Sequence, residues 1–160
     1  MSGMDDLLKQ DGLLHKMSAD KLAQIQGEAF TIYLASKRHS VCTIEECASW
    51  ILPAIHFNQF RIYRSGKRPI AWISWARMSQ EDSDAYSVAT GDFDFKISTW
   101  TSGEVIWFID YIAPFGHAKK IAYDLKRNVF PGQVGFAPDI DPETGKRRVR
   151  KLFGANVKIS

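Results

Sequence analysis

The spacing of apolar and polar positions changes along the chain, and each change predicts an element. From Ala19, the residues Leu22, Ile25, Ala29 and Ile32 recur at helical spacing to about Leu34. A polar break from Ala35 to Ser40 follows. Thr43-x-x-Glu46 has the spacing of a capping box and opens a second helix, which runs through Trp50, Ile51 and Leu52 and is bent or stopped by Pro53. The period then shortens. Phe60 to Tyr63 reads as a strand, Ser65-Gly66-Lys67 as a turn, and Pro69 to Ala76 as a second strand. Ser79 ahead of Gln-Glu-Asp suits a short helix reaching about Ala89. Residues 90–99, with Gly91 and alternating Phe93 and Phe95, fit a loop or a strand, and Ser102-Gly103 is a turn. Val105 to Ile112 is nearly all apolar, as a central strand covered on both faces must be. Residues 117–129 read as a helix, Val134 to Ile140 as a strand, and Lys146 to Phe153 as a basic closing strand after a turn at Asp141–Gly145.

Two helices, a hairpin, a helix, a central strand, a helix and two strands predict an α+β fold, a mixed central sheet flanked by helices. Residues 1–18 are polar with a small Leu cluster and read as an N-terminal arm; residues 19–160 read as a single domain, because 160 residues are few for two cores. The longest apolar-rich run, Ala48 to Ile55, is interrupted by Ser49 and Pro53, too short for a membrane span. The N-terminus is acidic and lacks the apolar region of a secretory signal, so a cytoplasmic location is expected. Cys42 and Cys47, read as lying on one helix with their side chains rotated apart, form no disulfide framework, which fits a reducing compartment. Two Cys and four scattered His have no zinc-like spacing, and no metal or cofactor is expected.

Composition narrows the class only a little: 45% hydrophobic and 24% charged residues exclude a disordered chain or a low-complexity linker. Charge is more informative. The net +3 divides into −3 over residues 1–116 and +6 over residues 117–160, so anionic partners are expected for the C-terminal quarter. The run Lys146-Arg147-Arg148-Val149-Arg150-Lys151 is either a solvated edge strand or a docking surface for an acidic protein. Five Trp set in apolar runs look like core rather than base-stacking platforms, and no nucleic-acid-binding signature accompanies the basic run, so no nucleic acid is expected as partner.

Asp110 is the sharpest chemical signal. A carboxylate inside Trp107-Phe-Ile-Asp-Tyr-Ile112 is costly to bury unless it is paired. It either sits at a wet strand end or orients and charges a partner, for which a histidine is the natural group. His15 lies in the polar arm, His56 follows a helix end and reads as structural, and His117 begins a helix, where it either touches an anionic ligand or is simply exposed. His39 lies in the polar break and becomes a general base if Asp110 is beside it. Gly116, in the link from the central strand to the next helix, can present backbone amides to an anion or serve the turn alone.

At these residues the chain resembles a known family, the toxin-activating lysine acyltransferases of Gram-negative bacteria, of the hemolysin-activator type. The resemblance covers roughly residues 33–154. It is carried by Trp100-Thr-Ser-Gly-Glu-Val-Ile-Trp-Phe-Ile-Asp-Tyr-Ile-Ala-Pro-Phe-Gly116, by Leu52-Pro-Ala-Ile55, by Asn58-Gln-Phe60 and by Ser74-Trp-Ala76, in order. It implies an N-acyltransferase fold similar to the GNAT superfamily. The implied enzyme is an N6-lysine acyltransferase that moves a fatty acyl group from acyl carrier protein, as co-substrate, to internal lysines of an RTX protoxin. It also implies His39 and Asp110 as catalytic residues, with Ser36, Gly116 and Arg127 at donor- or substrate-binding positions, and makes a homodimer the assembly to look for. The chain departs from the family at Ser36-Lys37-Arg38-His39, where a typical member has Ser-Pro-Leu-His. It also has Ala113 at the first position of the loop that in coenzyme A-dependent GNAT enzymes holds the pyrophosphate; this reduced cradle suits a donor with one phosphodiester. The alternatives are a GNAT-like small-amine acyltransferase using acyl-coenzyme A and a non-catalytic basic docking module.

Overall fold

The computed structural model describes residues 17–90 and 93–159. The N-terminal Leu cluster and His15 lie outside the described residues. The elements follow the order α1 (Ala19–Ala35), α2 (Ile44–His56), β1 (Phe60–Ser65), β2 (Arg68–Met78), α3 (Gln80–Val88), a 3₁₀ turn (Ile97–Trp100), β3 (Val105–Ile112), α4 (Ala118–Asp124) with a π-helical turn (Leu125–Val129), β4 (Val134–Ile140) and β5 (Arg147–Phe153). The fold is α+β. Its five strands form one mixed sheet in the order β1-β2-β3-β4-β5, so β3 is central. Among the described residues, no helix is long and apolar enough to cross a membrane.

The chain forms two compact units, one of residues up to Ser74 together with Asp110–His117, the other of Trp75–Ile109 and Ala118 onward. The first contains α1, α2, β1 and the opening of β2, and receives the last residues of β3. Helix α1 begins at Ser18, whose hydroxyl accepts the Lys21 N–H, and buries Ile25, Ala29, Ile32 and Tyr33 along one stripe. Thr43 and Glu46 make the reciprocal capping box that starts α2. Strand β1 pairs antiparallel with β2 from Phe60–Ser74 to Ser65–Arg68, with an irregularity between Tyr63 and Arg64. Glu28 of α1 accepts two hydrogen bonds from the Arg64 guanidinium, at 2.6 and 3.0 Å, and this fork holds its carboxyl below the usual carboxylate range.

In the second unit, Ser79 caps α3 by accepting the Asp82 N–H. Strand β3 pairs parallel with β4 at Ile106–Gly135 and Trp107–Phe136, and β4 pairs antiparallel with β5 from Val134–Phe153 to Ile140–Arg147. Parallel neighbours require a crossover, and α4 with its π-helical turn lies in that connection. Ile106, Trp107 and Phe108 are buried in succession; since successive side chains point to opposite faces, both faces of β3 are covered here. Tyr86, Phe93, Phe95, Trp100, Trp107 and Phe136 form a chain of ring contacts with centroids 4.9–5.8 Å apart. Trp72, Trp75, Trp100 and Trp107 are buried, in keeping with their reading as core.

Three expectations need correction. Cys42 and Cys47 do not share a helix: Cys42 lies in the turn before α2 because Thr43 is the cap and the helix starts at Ile44, two residues beyond it, and both thiols are free. Of the two outcomes expected at Pro53, a bend or a stop, the stop is excluded, since α2 continues to His56. Burial of Pro53, Ala54 and Ile55 offsets the hydrogen bond that proline cannot donate. The helix expected over 117–129 is α-helical only from Ala118 to Asp124 and widens into a π turn, closed by the Phe130 N–H donating to the Leu125 carbonyl at 2.8 Å.

Candidate active site

Helix α1 ends at Ser36, whose N–H donates to the Tyr33 carbonyl at 3.1 Å. Overlapping turns follow: the N–H groups of His39 and Ser40 both donate to the Ser36 carbonyl, at 3.1 and 2.8 Å, and that of Cys42 donates to the His39 carbonyl at 3.1 Å. What reads in sequence as a polar break is thus a hydrogen-bonded turn that fixes the His39 backbone. The Ser36 Oγ lies 2.7 Å from His39 Nδ1. The other ring nitrogen, Nε2, faces Asp110 Oδ1 at 3.8 Å, inside ion-pair range and beyond a direct hydrogen bond. The hydrogen bond to the His39 ring is therefore made by Ser36, while Asp110 faces the ring at ion-pair distance.

The pair is graded in exposure. The His39 side chain is 21% exposed and that of Asp110 8%. Asp110 lies near the end of β3, where its backbone N–H donates to Ser74 Oγ of β2 at 3.2 Å. Its Oδ2 accepts the Tyr33 hydroxyl at 2.5 Å and the Trp72 Nε1–H at 3.2 Å. Burial pushes the Asp110 carboxyl up to about 6, although these two hydrogen bonds and the Arg38 charge pull the other way. Burial, and then the Arg38 charge, hold the His39 imidazole below its ordinary value. At neutral pH the arrangement is a carboxylate behind a neutral, partly exposed imidazole, which is the protonation state a general base needs.

The structure brings together Ser36, His39 and Asp110, all in the first unit. Gly116 is in the exposed turn after β3, with φ +89°, a left-handed conformation that favours glycine. Beside it Arg68 stacks on the Phe115 ring at 4.5 Å. Arg127 lies in the second unit, in the π-helical turn, with its guanidinium 4.7 Å from the centroid of the Tyr123 ring. His56 is buried and neither ring nitrogen has a partner among the described residues. Sequence reasoning missed Tyr33 and Trp72. Both sit in apolar runs and read as core; the signal that could have found them is that a buried phenol or indole N–H needs an acceptor, and Asp110 is the buried carboxylate on offer. Among the described residues, no group of three His, Cys, Asp or Glu could hold a metal ion.

The basic run is largely occupied from within its own unit. Arg147 donates to the carbonyls of Tyr86, Ser87 and Ala89, at 2.6, 3.0 and 2.9 Å, and so caps the C-terminal end of α3. Arg148 bonds to Asp139 at 2.7 Å, and Arg150 reaches the same carboxylate at 4.0 Å.

A mixed sheet whose central strand ends in a buried carboxylate facing an imidazole is an arrangement suited to acid–base group transfer, and comparison with known proteins makes the class definite. The model of the RTX toxin acyltransferase family matches residues 18–153, and the chain belongs to that family. It is 32% identical over 146 residues to the protein-lysine myristoyltransferase HlyC of Escherichia coli, covering 88% of this chain and 79% of that protein. It is 35% identical over 122 residues to the lysine-acyltransferase RtxC of Vibrio cholerae, covering 74% and 78%. An uncharacterized protein of Synechocystis is 33% identical over 144 residues, covering 84% of this chain and 96% of its own length.

Proposed function

We propose that this protein is a GNAT-like, N6-lysine acyltransferase of the cytoplasm, carrying a fatty acyl group from acyl carrier protein to the ε-amino group of internal lysines in an RTX protein. The single observation that supports the chemistry best is the approach of His39 Nε2 to the buried Asp110 carboxylate, with Nδ1 held by Ser36. The names of the relatives, which include lysine myristoyltransferases and toxin-activating lysine acyltransferases, support the acceptor class.

A lysine ammonium must lose a proton before it attacks a thioester. In this reading the Ser36 oxygen accepts the Nδ1–H of neutral His39, which leaves the Nε2 lone pair as the base. As Nε2 takes the proton the ring becomes an imidazolium, and the Asp110 carboxylate stabilises it across the 3.8 Å gap. The amine then attacks the thioester carbonyl, the tetrahedral oxyanion is met by backbone amides in the turn that ends at Gly116, and the carrier thiolate leaves with the proton from the imidazolium. The imidazole, neutral again, takes the second proton from the nitrogen and passes it to solvent, leaving a neutral amide. Arg127, which matches a basic position of the family, is read as a donor- or substrate-binding residue.

The test is acyl transfer from acyl–acyl carrier protein to an RTX protein of the kind its relatives activate, read by mass spectrometry of the lysines. Wild type should acylate lysine side chains, and His39→Ala, folded as judged by circular dichroism, should lose about 10²- to 10⁴-fold in rate. Wild-type-like transfer by His39→Ala overturns the site, while turnover of free amines with acyl-coenzyme A and none with the carrier overturns the donor and acceptor.

A further inference from the structure

Asp110 is gripped through one oxygen. Tyr33 and Trp72 both donate to Oδ2, while Oδ1 is the atom that faces His39 Nε2. A carboxylate rotates easily about its last bond, because such terminal torsions are broad and two-fold. Two donors from different elements, α1 and β2, fix that rotation. The Trp72 indole is itself held by stacking on Phe60, at 5.1 Å and 17°. Tyr33 also packs against the imidazole, with ring centroids 5.0 Å apart at 55°, so one side chain touches both members of the pair.

We propose that Tyr33, assisted by Trp72, is the positioning residue of the acyl-transfer site, pinning Asp110 Oδ2 so that Oδ1 stays aimed at His39. The proposal rests on the reading given under Proposed function. Besides Tyr33, Trp72 and His39, the titratable or charged groups around the carboxylate are Arg38 in the turn after α1, which favours the ionised acid, and the Cys42 and Cys47 thiols, which couple to Tyr33. Burial and the neighbouring carboxylate push the Tyr33 phenol far above its ordinary value, so it remains a donor across the working range of pH. Its hydrogen bond is the first of the influences that keep Asp110 from rising further. Removing the hydroxyl while keeping the ring leaves Asp110 more protonated at pH 7, and a protonated acid does not stabilise an imidazolium.

The full-length wild type, Tyr33→Phe and Trp72→Phe are to be compared in two ways. NMR titration of His39 needs no substrate: the inflection transmitted from Asp110 should move upward by about half a unit to one unit in Tyr33→Phe and by less in Trp72→Phe. In acyl-transfer assays Tyr33→Phe should lose up to about twofold in kcat at pH 7 and about three- to tenfold near pH 5, with KM for the acyl carrier unchanged, and match wild type by about pH 8.5. An unmoved titration, or a loss of the same size at every pH, overturns the positioning role; Trp72→Phe decides the matter if Tyr33→Phe does not fold. A shifted titration in a protein whose wild type transfers no acyl group instead overturns the proposed function and leaves the Tyr33–Asp110 coupling standing.

Discussion

Asp110 costs the native state something for being ionised. A group whose folded pKa stands above its ordinary 3.8, here at about 6, contributes stability that is full below the lower value and is lost as pH rises through the higher one. Asp110→Asn keeps an acceptor for Tyr33 and Trp72 and removes the titration. Thermal unfolding of the variant should therefore gain on wild type as pH goes from 4 to 7, while acyl transfer falls by at least about 10²-fold. A stability difference that does not change with pH would mean that the carboxyl titrates as it does in the unfolded chain. His39 runs in the opposite sense: held below its ordinary value, it adds stability above that value and loses it as pH falls. Both groups act on the rate in one direction, since acid protonates base and stabiliser alike, so transfer by wild type should decline as pH drops through about 6.

At the scale of elements, capping decided the starts of the helices and burial decided their ends. Thr43 and Ser79 cap where the sequence reads a helix start, and Ser18, read as the last residue of the arm, caps α1 in the same way, because a cap is a local bond between neighbours in the chain. The persistence of α2 past Pro53 is not local; it depends on what Ala54 and Ile55 pack against. The same continuation buries His56 with both ring nitrogens unpartnered among the described residues. Burial holds this imidazole below its ordinary value, so its contribution is lost as pH falls. His56→Phe, close in size and next to Phe57, should raise stability by about 1–2 kcal/mol at pH 7 and by more at pH 5.5, read from urea unfolding. A destabilised variant would show that the ring has a polar partner in solution.

On the scale of the whole molecule, β5 is the last strand of the sheet and carries the basic run. Arg147 and Arg148 are tied to α3 and to Asp139, while Arg150, at 71% side-chain exposure and 4.0 Å from Asp139, and its neighbour Lys151 are both exposed to solvent. Charges on an edge strand oppose pairing with another chain. Arg150→Val with Lys151→Val should leave the fold and His39 chemistry unchanged while light scattering reports aggregation at concentrations where wild type is clear. An equally clear solution of the double variant would show that the edge is protected by something else.

The sequence by itself determined the order of elements, the central place of Val105–Ile112 and the identity of the two groups worth watching, His39 and Asp110. Period, capping and the anomaly of an acid in an apolar strand are properties of neighbours along the chain, and a sequence displays neighbours directly. The tertiary structure alone decided that residues 71 positions apart face each other at 3.8 Å, that Ser36 and not Asp110 bonds the imidazole, and that Tyr33 and Trp72 serve the carboxylate. Those are contacts between segments whose spacing in sequence carries no distance. A phenol on the buried stripe of a helix looks the same whether it fills the core or holds an acid, until the strand that bears the acid is laid beside it.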